Sequence, residues 1–111
     1  MKFYESTKNT SNGKIAFVDI DETICHYPNV RRYDLAEPIY ENIAKINKLY
    51  DEGWTIIYWT ARGTVSKIDY KDFTISQLNS WNCKFHEVKC GADKPQYDLI
   101  IDDKAKRIEE L

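Results

Sequence analysis

Two carboxylates, Asp19 and Asp21, follow the apolar run Ile15-Ala16-Phe17-Val18 in the stretch Asp19-Ile20-Asp21-Glu22-Thr23. Alternate residues of a strand share a face, so both side chains point the same way where a buried strand ends. Burying ionised carboxylates side by side costs on the order of several kcal/mol unless a cation or hydrogen-bond donors compensate. Such a pair points to chemistry. Further along, Thr60 follows Trp54-Thr55-Ile56-Ile57-Tyr58-Trp59, Lys94 precedes Pro95, and Asp102-Asp103 follows Tyr97-Asp98-Leu99-Ile100-Ile101. Carboxylates from two separate strand ends make an oxygen-rich pocket suited to Mg²⁺. Thr60, Lys94 and the backbone N–H groups of the first loop suit phosphate oxygens. A carboxylate attacking phosphorus gives an aspartyl phosphate, with a metal neutralising the two anionic partners. A second carboxylate two residues on can donate a proton to the leaving oxygen and then take one from water.

Those residues need strands and helices to hold them. Residues 1–13 are polar and read as an arm or edge strand before a single domain over 14–111. A strand is expected from Lys14 to Ile20, a loop over 24–37, and a helix opening at Pro38 with Ile39, Ile43, Ile46 and Leu49 as its apolar stripe. Gly53 suits that helix's stop. Trp54–Trp59 reads as a strand. Residues 69–82 read as a helix with Phe73, Leu78 and Trp81 inward, Cys83–Val88 as a weaker strand, Tyr97–Ile101 as a buried one, and 104–111 as a short helix. Alternating strands and helices predict an α/β fold: a three-layer, Rossmann-like arrangement with a central parallel sheet of about four strands and helices on both faces. Ligands of such sheets bind beyond the carboxyl ends of the strands, where the polar residues above fall.

The bulk numbers narrow the function classes. At 111 residues one domain is expected. A net charge of −2 supplies no basic field for nucleic acid and no polybasic membrane patch. Cys25, Cys83 and Cys90 are odd in number and lack CxxC spacing, which suits reduced thiols and a cytoplasmic protein. No apolar run is long enough to span a membrane.

The chain resembles the haloacid dehalogenase (HAD) superfamily of aspartate-nucleophile phosphohydrolases. Four motifs appear in its order: DIDET at 19–23, Thr60, Lys94, and Asp102-Asp103. The resemblance implies Asp19 as nucleophile and metal ligand, and Asp21 as general acid/base whose backbone carbonyl also binds metal. Thr23 would steady the turn. Ile20, Thr60, Ala61 and Lys94 would bind phosphate, with Lys94 also paired to Asp19. Asp102 would bind Mg²⁺, joined by Asp103 directly or through water. The intervals of 36 residues (24–59) and 33 residues (61–93) leave no room for a cap domain. A cap-less site must exclude water with the 24–37 loop, a large substrate or a neighbouring subunit, so a homo-oligomer covering the site is one expectation. The segments INKLYDEGWTIIYWTARG and KPQYDLIIDDKA are similar to small phosphatases of bacterial surface-polysaccharide loci, which implies a sugar phosphate or related small phosphomonoester as substrate.

Other readings compete. Cys25-His26-Tyr27-Pro28-Asn29-Val30-Arg31 matches C-x5-R, the phosphate loop of cysteine phosphatases. Pro28 removes a donor there, glycine is absent and no helix is expected at Arg31, which argues against it. His26, Arg31 and Arg32 lie in the loop after the first motif, and Arg62 lies two residues past Thr60. All four are candidate substrate contacts, with Arg62 favoured. A nucleotide or nucleic-acid end phosphatase, and a phosphate- or metal-binding module without turnover, are the alternative functions.

Overall fold

The computed structural model describes residues 11–91, 94 and 97–111. The expected arm falls outside them up to residue 10. In chain order the elements are β1 (Ile15–Val18), β2 (Cys25–His26), a 3₁₀ turn (Tyr33–Leu35), β3 (Glu37–Pro38), α1 (Tyr40–Asp51), β4 (Thr55–Thr60), α2 (Lys71–Ser80), β5 (Glu87–Cys90) and a 3₁₀ turn at Ile108–Glu110. β1, β4 and β5 form a parallel sheet in the order β1-β4-β5, with Phe17 opposite Ile57 and Val18 opposite Tyr58. Each β-to-β connection carries a helix, as parallel neighbours require. The result is a small α/β fold of three parallel strands and two helices.

The period of each element shows in what it buries. Ile43 and Ile46 from α1 and Leu78 from α2 join Val18, Ile56, Tyr58 and Val88 in one core cluster. Register places those four strand residues on one face of the sheet. α1 stops where Gly53 takes φ 99° and the Trp54 N–H turns back to the Leu49 carbonyl. Asn12 donates from its backbone and side chain to the carbonyls of Gly53 and Glu52, fastening the entry to β1 beside that stop.

Several expectations need correction. Pro38 does not open α1: it pairs with Cys25 in the short antiparallel β2–β3 ladder, whose other residues fall in the expected 24–37 loop, and the helix begins at Tyr40. Phe73 is exposed, while Leu78 and Trp81 are buried as expected. The sheet has three strands because Tyr97–Ile101 forms no strand; Ile101 is 87% exposed and no ladder reaches it. An apolar run becomes a strand only with a partner edge, and tertiary pairing decides that, not the run itself. The expected C-terminal helix is only the turn at Ile108–Glu110, with the Ile108 carbonyl bonded to Lys45 Nζ of α1 at 3.2 Å. The second sheet face carries exposed Ile15 and Phe17, and among the described residues no helix layer covers them. Among the described residues no helix is long and apolar enough to cross a membrane.

Candidate active site

The DIDET turn is fixed before any side chain acts. Ile20 and Ile24 are fully buried and anchor it, and the Ile20 carbonyl accepts from the N–H groups of Thr23 and Ile24. Asn42 of α1 donates to the Thr23 carbonyl at 2.9 Å. Glu22 is held at φ 64°, a left-handed conformation that costs a non-glycine residue about 1 kcal/mol. Asp19 emerges from this turn 38% exposed, with Thr23 Oγ1 donating to Oδ2 at 2.9 Å and Lys94 Nζ donating to Oδ1 at 2.7 Å. Lys94 is buried, and its ammonium also donates to the Trp59 carbonyl and lies 5.1 Å from the Trp59 ring centre. Asp19 is thus an accessible carboxylate with both oxygens oriented.

Asp21 has a different environment. Arg62 Nε and Nη2 grip its two oxygens at 3.1 and 2.8 Å, and the Tyr27 hydroxyl donates a short hydrogen bond to it. Arg62 Nη1 also donates to Thr74 Oγ1 and Gln77 Oε1 of α2, and the guanidinium lies 4.6 Å from the Tyr33 ring centre. Burial pushes the Asp21 carboxyl up, but the Arg62 hydrogen bonds and charge, with Tyr27 and Arg31 adding to them, outweigh burial and hold it below its ordinary value. Asp21 is therefore an ionised carboxylate, ready to accept a proton. Donating one first requires it to be protonated against that cation. Arg62 does not face an open ligand site: it is wholly buried and spends its donors on Asp21 and α2, so the preference for it as a substrate contact is corrected.

The remaining candidates divide. Thr60 is buried at the end of β4, and its hydroxyl accepts from the Arg62 N–H at 3.2 Å. The Ala61 carbonyl accepts from the Thr64 N–H. Arg31 reaches to 4.0 Å from Asp21 Oδ2, whereas Arg32 is paired with Asp34 at 2.8 Å. His26 pairs with Glu22 at 3.0 Å on the exposed side of the turn. Cys25 is buried, and its thiol is pushed up to about 12, by burial first and the Asp21 charge second. A thiol so protonated is no nucleophile at neutral pH, so C-x5-R carries no cysteine chemistry here.

Asp102 and Asp103 stand exposed on the 97–107 segment. Among the described residues no group of three or more carboxylate, His or Cys side chains is gathered to hold an ion. As placed, the four aspartates do not fit a Mg²⁺ site.

Two contributors were not found by sequence reasoning. The Thr64 hydroxyl donates to the Gly91 carbonyl, with the Lys94 carbonyl 2.9 Å away, and so ties the Lys94 loop to the end of β4. Tyr27 completes the grip on Asp21. A threonine four residues past Thr60 and a tyrosine six past Asp21 carry no local pattern that marks them.

No family model matches the chain, and no curated protein matches it. Its fold is similar to a crystal structure of an MCSG target from Vibrio cholerae, with a TM-score of 0.77 and 24% sequence identity over 87% of this chain and 85% of that one.

Proposed function

We propose that the protein is a phosphomonoesterase of the HAD type acting through an aspartyl phosphate at Asp19, on a sugar phosphate or similar small ester. The observation that carries this reading is the 2.7 Å contact between Asp19 and Lys94, two motif residues 75 positions apart that meet at the carboxyl end of the sheet. Lys94 would draw phosphoryl oxygens toward the Asp19 carboxylate and offset their mutual repulsion. Asp19 then bonds to phosphorus as the bond from phosphorus to the ester oxygen breaks, and that oxygen takes its proton from Asp21, which must first be protonated against the Arg62 charge. Water attacks the aspartyl phosphate in turn, its proton passes to Asp21, and phosphate and free Asp19 result. The motif order supports Mg²⁺ as cofactor, although the aspartates as placed do not gather around an ion.

The test is hydrolysis of p-nitrophenyl phosphate by the full chain with Mg²⁺ present. Asp19→Asn should lower turnover at least about a thousandfold, and wild-type rates in that variant would rule the mechanism out.

A further inference from the structure

A cavity of about 390 Å³ is lined by aromatic Tyr33, Tyr70 and Phe73 and by charged Arg31, Arg32 and Asp34, and Arg31 links it to Asp21 by reaching to 4.0 Å from Oδ2. That is within the size range of small-ligand sites. Its aromatic wall is pre-formed. Tyr33 and Tyr70 meet edge to face at 4.9 Å, and Tyr70 meets Phe73 in the same manner at 6.5 Å. The Tyr33 carbonyl accepts from Gln77 Nε2 at 2.7 Å, and the Tyr70 carbonyl accepts from the Thr74 N–H in the first turn of α2. The 63–68 loop that leads to Tyr70 closes so tightly that a Cβ on Gly63 would sit 2.1 Å from the Ile68 carbonyl oxygen. Flat aromatic faces of this kind receive the C–H face of a ring more readily than a flexible chain.

Charge narrows the ligand further. Two guanidiniums against one carboxylate leave the cavity one net positive charge, in a protein of net charge −2. Arg32 is neutralised by Asp34 at 2.8 Å. Arg31 is 59% exposed and 4.0 Å from Asp21, a carboxylate that Arg62 already satisfies. Its charge is therefore available to a ligand that spans from Asp21 into the cavity.

We propose that this cavity receives the leaving group of the phosphoester, and that it selects a ring-bearing leaving group with a second anionic substituent, a carboxylate or a second phosphate, bound by Arg31. The proposal rests on the phosphatase reading for its orientation, since Asp21 handles the proton next to the leaving oxygen. Its test is made by binding, so that the two can fail separately.

Calorimetric titration of the full-length Asp19→Asn protein, with Mg²⁺ present, would use glucose 1-phosphate, glucose 1,6-bisphosphate and glucuronic acid 1-phosphate. At least one doubly charged sugar should bind on the order of tenfold more tightly than glucose 1-phosphate. Adding Arg31→Gln should erase that preference, and Tyr70→Ala should weaken all three sugars more than inorganic phosphate. Preference for the bisphosphate alone identifies a phosphate as the second anion, and preference for the uronate alone a carboxylate. Equal affinities, no binding, or a preference that survives Arg31→Gln overturns the proposal. If wild type hydrolyses none of the esters while the Arg31-dependent preference holds, the phosphatase reading falls and the subsite stands.

Discussion

The strand end of β1 and the segment 97–107 carry similar residues, aspartates following apolar runs, and reach opposite states. Asp21 is buried between Arg62 and Tyr27, while Asp102 and Asp103 stand in solvent beside an exposed Leu99, Ile100 and Ile101. The difference is pairing. Val18 is in register with Tyr58, so the residues after it inherit a fixed position and a fixed face. Tyr97–Ile101 has no ladder among the described residues, so nothing carries strand geometry into Asp102. A motif can be complete in sequence and only half assembled in space.

The sharpest way to break that comparison is to remove one charge from each region. Arg62→Met removes the two-pronged partner of buried Asp21, leaving it only the Tyr27 hydroxyl and Arg31 at 4.0 Å, and should cost about 3 kcal/mol in urea unfolding. Asp102→Asn should stay within about 0.5 kcal/mol, as for an exposed surface site. Combining Arg62→Met with Asp21→Asn should recover much of the first loss, because no orphan charge remains. Equal costs for Arg62→Met and Asp102→Asn would erase the distinction between the two regions.

Hydrogen exchange tests the same contrast without mutation. Amides of 99–103 should exchange at least about a hundredfold faster than those of β4, since only the latter sit in a ladder. Millimolar Mg²⁺ should slow 99–103 selectively if the four aspartates gather around an ion, as the motif order supports. Unchanged protection on adding Mg²⁺ would remove the metal from the proposed function.

What could be read from the sequence follows the same line. The helical stripe Ile43, Ile46 and Leu49 and the runs at 15–18 and 54–59 were legible as elements because their patterns are local, whereas the expected burial of β1 on both faces fails at exposed Ile15 and Phe17. The Asp19–Lys94 contact was legible as an expectation because each residue belongs to a recognisable motif. The roles of Arg62 and Thr64 were not, because both depend on what the chain brings opposite them: Asp21 and α2 for one, the Gly91 carbonyl for the other. Tyr97–Ile101 misled for the converse reason, since its apolar run has the composition of a buried strand without the partner edge.

Thr64 offers a smaller lever on the assembled region. Thr64→Val keeps the shape and deletes the hydroxyl bond to the Gly91 carbonyl, at a cost of about 1 kcal/mol. Loosening the loop that presents Lys94 should raise KM for an aryl phosphate more than it lowers kcat. An unchanged KM would mean that Lys94 is held by its bonds to Asp19 and the Trp59 carbonyl alone. Glu22→Asn should act in the opposite direction, stabilising by about 0.5 kcal/mol because asparagine tolerates φ 64° better than glutamate does. The lost Glu22–His26 contact is an exposed pair and should subtract little from that gain.

The smallest expected effect is a pH dependence seated in the sheet. His86 Nδ1 accepts the Ile56 N–H at 3.0 Å, the His86 backbone N–H donates to the Ile56 carbonyl, and the ring stacks on Tyr50 at 4.7 Å. An acceptor nitrogen must be unprotonated, and burial depresses the His86 value below 6.5. The unfolded chain therefore binds a proton at His86 more readily than the folded one. Its contribution is fully present above about pH 6.5, declines as pH falls through that value, and levels off below the folded value. Urea midpoints at pH 7.5, 6.5 and 5.5 should fall in that order for wild type and should flatten in His86→Asn. If the slope persists unchanged in His86→Asn, the titrating group lies elsewhere and the sheet loses its claim to it.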